Sequence, residues 1–72
     1  MEKRSLSIAG HRTSLALEPE FWAGLEAMAR SRELSLPQII QKIDEERTTV
    51  SLSSAVRLAV LDWYRTQAGE IS

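Results

Sequence analysis

Two apolar periods run along the chain. Between His11 and Leu17 the pattern alternates, with Thr13, Leu15 and Leu17 on one side and Arg12, Ser14 and Ala16 on the other. A period of two places successive side chains on opposite faces, so the spacing predicts a β-strand with one face turned to a core. A shorter alternation, Leu6 and Ile8, precedes it and ends at Gly10. Its apolar positions are even-numbered, whereas those of the strand are odd-numbered. A bulge near Gly10 or a loose N-terminal arm accounts for the switch and is the preferred reading. A turn there, closing an internal hairpin, is the alternative.

From residue 19 onward the period is helical. A first helix is predicted over 19–32, with Pro19 in the first turn, where its missing N–H is no loss. Glu18 and Glu20 suit the positive end of the helix dipole. Phe21, Trp22, Leu25, Met28 and Ala29 form its core-facing stripe. A second helix is predicted over 36–46. Ser35 with Gln38 three residues on matches a capping box, and Leu36, Ile39, Ile40 and Ile43 line one face. Residues 48–51 are a short connection. A third helix over 52–67 starts from the cap Ser51. Leu52, Ala55, Val56, Ala59, Val60 and Trp63 share one face, widened by Leu58 and Leu61. So broad a face calls for more than one neighbour. The tail AGEIS is expected to fray. The segments SLPQIIQKI (35–43) and SLSSAVRLA (51–59) are alike, which shared capping chemistry explains without a true repeat.

Composition narrows the picture. At 72 residues the chain forms one domain, residues 1–72. A domain of that size buries only about 60% of its unfolded surface, so outside support is expected. There is no cysteine and one histidine, which excludes disulfides, thiolate metal sites and a multi-histidine site within one chain. Oligomerisation is left. No apolar run reaches the length of a membrane span, and MEKRSLSIAG lacks the apolar stretch of a signal peptide. A cytoplasmic protein is therefore expected. The net charge of −1 speaks against a nonspecific polyanion binder, but the charges are unevenly spread. Lys3, Arg4 and Arg12 face only Glu2 in residues 1–17, whereas residues 18–47 are acidic on balance.

Catalysis finds no support. His11 has no partner for nucleophilic chemistry, the serines suit caps, and no phosphate loop or metal spacing occurs, so neither an enzyme nor a cofactor is expected. The lone strand is more informative. Its edges need partners, and a second copy running antiparallel about a two-fold axis supplies one. The fold class expected is mostly α with one short β-strand, completed as a dimer by an intermolecular two-stranded ribbon. Thr13, Leu15 and Leu17, with Trp22, would then form the dimer core. The outer face would present Arg12, Ser14 and Ala16. A two-stranded ribbon fits the major groove, where an arginine can bond guanine, a serine can bond a base or phosphate, and a methyl can meet thymine. Arg4 joins these candidates as a further cation.

The order strand, helix, helix over RTSLALEPEFWAGLEAMARSRELSLPQIIQKI (12–43) resembles the ribbon-helix-helix family of bacterial DNA-binding proteins, the Arc/MetJ-like group. GHRTSLALEPEFW together with LSSAVR (52–57) is similar to small ribbon-helix-helix domain proteins, and the likeness covers about residues 4–65. The resemblance implies an intertwined homodimer, a ribbon in the major groove of double-stranded DNA, and a phosphate anchor where the second helix starts, here Leu34, Ser35 and Leu36. Three features depart from the pattern. Glu33 stands where glycine is common and would repel phosphate, Pro37 removes an N–H from the first turn, and the third helix is extra. An alternative register lets SLSSAVR supply the anchor with Arg57 nearby. The expected function is a dimeric, sequence-specific DNA-binding regulator. The competing readings are a dimerisation or protein-interaction module, or an antitoxin with a toxin protein as partner.

Overall fold

A computed structural model describes residues 1–48 and 50–69. The chain runs β1 (Glu2–Ile8), β2 (His11–Leu17), α1 (Pro19–Ser31), α2 (Leu36–Glu46) and α3 (Leu52–Gly69). The helices fall where the apolar period places them. α3 extends through Gly69, past the expected end at residue 67; residues 70–72 of the tail, and Thr49 of the expected connection, lie outside the described residues.

The N-terminal segment corrects the sequence reading. Residues 2–8 are a full strand, paired antiparallel with β2 from Glu2↔Leu17 to Ile8↔His11. The ribbon expected from two chains is thus formed within one, and the arm with a bulge at Gly10 gives way to a hairpin. Its loop is two residues long, with Ala9 at φ 52° and Gly10 at φ 82°. Positive φ at both loop positions is the signature of a type I′ turn, whose twist suits a hairpin. The two-residue loop also explains the parity switch. Facing residues here have numbers that add to an odd total, so one face takes even positions from β1 and odd positions from β2.

Leu6, Ile8, Thr13, Leu15 and Leu17 therefore line one face of the ribbon, over which the helices close. Leu17, Leu25, Ile39, Ile40 and Val56 are fully buried, and Trp22, Val60 and Leu15 nearly so. The residues expected to form a dimer core are covered by the chain's own helices: Leu15, Leu17 and Trp22 are buried, and Thr13 is half-buried. α2 lies against β1, α3 lies against β2 and α1, and α2 and α3 contact each other. This triple contact covers Ala55, Val56 and Val60, whereas Leu58 and Leu61, which widen the apolar face of α3, stay exposed. The close approach of α1 to α3 depends on Gly24, where an added Cβ would sit 2.6 Å from Val60 Cγ1.

α1 ends in a Schellman motif. The Leu34 N–H donates to Ala29 O at 2.9 Å and the Glu33 N–H to Arg30 O at 3.1 Å, with Glu33 in the left-handed region at φ 56°. A side chain there strains the backbone by about 1–2 kcal/mol, as it does at Ala9. Glu33→Gly and Ala9→Asn are each expected to stabilise the protein by about 0.5–1 kcal/mol, read as a higher urea midpoint at unchanged slope. A lower midpoint in both variants would contradict these turn assignments.

Candidate nucleic-acid interface

The outer face of the hairpin follows from its register. Lys3, Ser5 and Ser7 of β1 face Ala16, Ser14 and Arg12 of β2, respectively. All are exposed except Ala16, which is half-buried. The result is a narrow strip of small side chains with a cation at each of two diagonal corners and no acid on the same face. Among the described residues, neither Lys3 nor Arg12 has an ion-pair partner. Arg12, Ser14 and Ala16 are thus brought together on one exposed face, as expected.

Arg4 is not among them. It lies on the opposite face, with its Cζ 4.4 Å from the Trp22 ring centroid. Its Nε bonds Glu2 Oε2 at 2.6 Å and its Nη1 bonds Glu26 Oε2 at 3.1 Å. The hydrogen bonds to Glu2 and then Glu26 push the Arg4 pKa further up. Arg4 therefore fastens β1 to α1, and its assignment as a reading cation is withdrawn on position alone. Lys3, Ser5 and Ser7 are the residues that sequence reasoning missed. Their signal is present in the chain. KRSLSI (3–8) and RTSLAL (12–17) align residue by residue as cation, polar, serine, leucine, small, aliphatic.

The proposed phosphate anchor is mostly occupied from within. The Leu34 N–H bonds Ala29 O, and the Ser35 N–H bonds Gln38 Oε1 at 2.8 Å. In return Ser35 Oγ accepts from the Gln38 N–H at 3.3 Å, which completes the capping box. Of the three N–H groups assigned to the anchor, only that of Leu36 has no protein partner among the described residues. The start of α3 is more open. Ser51 Oγ accepts from the Ser54 N–H at 3.3 Å, and the Leu52 and Ser53 N–H groups have no partner among the described residues. Arg57, however, is engaged elsewhere. Its Nε bonds Glu18 Oε1 at 2.9 Å and its Nη2 bonds Glu18 Oε2 at 3.4 Å, and this pairing draws the Glu18 pKa below the usual carboxylate range.

A second surface lies on the helices. Leu58, Leu61 and Tyr64 of α3 are 56%, 50% and 48% exposed, which is high for apolar side chains on one helix. Beside them runs a shallow cleft between α2 and α3, lined by apolar Ile39, Ile43 and Trp63 and by charged Lys42, Glu46 and Asp62. Among the described residues no group of three or more His, Cys, Asp or Glu side chains could hold a metal ion, and no helix is long and apolar enough to cross a membrane.

A ribbon backed by helices, with a basic and hydroxyl-rich outer strip, defines a class of small ribbon-based binding domains. The chain belongs to the ribbon-helix-helix domain family, whose model matches residues 1–64. Proteins of this family generally bind DNA as transcription regulators or antitoxins, usually as dimers. No curated protein and no solved structure matches the chain.

Proposed function

We propose that this protein is a sequence-specific DNA-binding regulator that lays the outer face of its hairpin into the major groove. The observation that carries this reading is the strip itself. A two-stranded ribbon has the width the groove admits, and its outward side chains are two cations, three hydroxyls and one methyl, with no acid among them. Arg12 gives two hydrogen bonds to a guanine, Ser14 bonds a base edge or phosphate, and Ala16 meets a thymine methyl. Phosphate positioning falls to helix starts, where open N–H groups and the dipole favour an anion. Leu36 at α2 and Leu52 and Ser53 at α3 supply those groups. The acidic remainder of the molecule keeps nonspecific binding weak, so the contacts on the strip decide where the protein sits.

The test is binding of the full chain to duplexes selected from a random library, followed by fluorescence anisotropy across a salt series. Affinity for a selected duplex should fall by about tenfold or more between about 50 and 200 mM salt, as phosphate neutralisation releases counterions. If no duplex is enriched, or if binding is indifferent to salt, the DNA reading fails.

The row Leu58, Leu61 and Tyr64 favours a second role beside the first. An exposed apolar helix face suits a protein partner, either another copy of the chain or a toxin. Pairing of copies through α3 would leave each hairpin free, unlike an intermolecular ribbon.

A further inference from the structure

Given the DNA reading above, on which this inference rests, we propose that one chain carries both halves of the reading surface. Its target is then an imperfect inverted repeat whose two halves are read by different side chains. Rotating the hairpin by half a turn about an axis through the facing pair Ser5 and Ser14 exchanges the strands. Lys3 then falls on Arg12, Ser7 on Ala16, and on the inner face Leu6 on Leu15 and Ile8 on Leu17. Each strand thus offers a cation, a serine and a small residue in the same order, nine positions apart.

The helices repeat the relation independently. α2 lies against β1 and α3 against β2, and the two touch each other, so each strand of the hairpin is backed by one of these helices. Both begin at a serine whose Oγ accepts the N–H three residues on, from Gln38 in α2 and from Ser54 in α3. Burial agrees along the two segments. Leu36 and Leu52 are half-buried, Ile39 and Ala55 are buried, and Ile40 and Val56 are fully buried. The likeness of SLPQIIQKI to SLSSAVRLA thus extends from capping to burial, and each segment begins a helix that lies against one strand of the ribbon.

The symmetry is approximate where it matters for recognition. Arg12 offers a planar fork suited to guanine O6 and N7, whereas Lys3 offers a point charge with rotatable donors. Ser7 presents a hydroxyl where Ala16 presents a methyl. The two ends of the bound site should therefore differ in base preference. Along the strands, four residues at about 3.3 Å each separate the two cations by about 13 Å. That corresponds to about four base-pair steps at about 3.4 Å.

The experiment is to repeat the duplex selection with wild type, Lys3→Ala and Arg12→Ala, and to measure affinities for the wild-type site. Both side chains are exposed, and circular dichroism checks that the variants stay folded. Wild type should enrich a short element with unequal ends. Arg12→Ala should relax the preference at one end and Lys3→Ala at the other, each with about a ten- to hundredfold loss on the wild-type site. If Arg12→Ala relaxes both ends equally, or Lys3→Ala changes neither site nor affinity, the ribbon in the groove is built from two copies of β2 and the proposal is overturned while DNA binding stands. If wild type enriches nothing, the DNA reading itself falls and this inference falls with it.

Discussion

Trp22→Ala is expected to leave the protein largely unfolded at room temperature. Trp22 is 1% exposed and ties three parts of the molecule together. Its indole Nε1–H donates to the carbonyl of Glu2 at 2.8 Å, which pins the open end of the hairpin. Arg4 lies over its ring and is held there by Glu2 and Glu26. Its body fills the space between α1 and the ribbon. Removing a buried tryptophan side chain costs about 3–5 kcal/mol. A 72-residue domain has on the order of 4–11 kcal/mol in all, so the loss takes most or all of it. Trp22→Phe should be far milder, because the ring still fills the core and one hydrogen bond is lost, at about 0.5–1.5 kcal/mol. Urea titration followed by circular dichroism compares the three proteins. A Trp22→Ala midpoint close to that of wild type would mean that this anchor is misplaced.

Deletion of residues 1–9 should be as damaging. β2 would lose its partner strand, the Trp22 N–H its acceptor, and the core Leu6 and Ile8. Bare strand edges and uncovered apolar surface favour aggregation over folding. The shortened chain should show little helix by circular dichroism and sediment as a polydisperse species. An intermolecular ribbon makes the opposite forecast, since β2 would pair with its own copy and β1 would be dispensable. A folded dimer of residues 10–72 would therefore restore the two-chain ribbon and remove the single-chain one.

Most of the architecture was legible because the apolar periods were strong. The starts of α1, α2 and α3 agree with the residues that Pro19, Ser35 and Ser51 mark, since a first-turn proline and two serine caps leave little freedom in where a helix begins. The hairpin was legible in part. Its loop is Ala-Gly rather than Asn-Gly, so the usual turn signal is weak, and alanine tolerates the left-handed region poorly. The parity switch, read as a bulge, was in fact what a two-residue loop must produce. On the interface, Arg12, Ser14 and Ala16 could be read from alternation alone. Lys3, Ser5 and Ser7 could not be assigned until the partner of β2 was known, and Arg4 then fell on the wrong face by one position. The proposed phosphate anchor was the least legible part. Whether the Leu34 and Ser35 N–H groups are open depends on how α1 ends and on where the Gln38 side chain turns, and apolar periods carry no record of either.

The turn at Ala9 and Gly10 also sets how the protein behaves at low copy number. When a ribbon must be assembled from two molecules, the fraction assembled falls as the protein is diluted, and its melting temperature moves with concentration. Here the two strands are tethered by two residues, so closure is an event within one molecule and hairpins of this kind form in about 1–10 μs. The outer strip of the hairpin is therefore formed within each molecule, whatever the protein concentration.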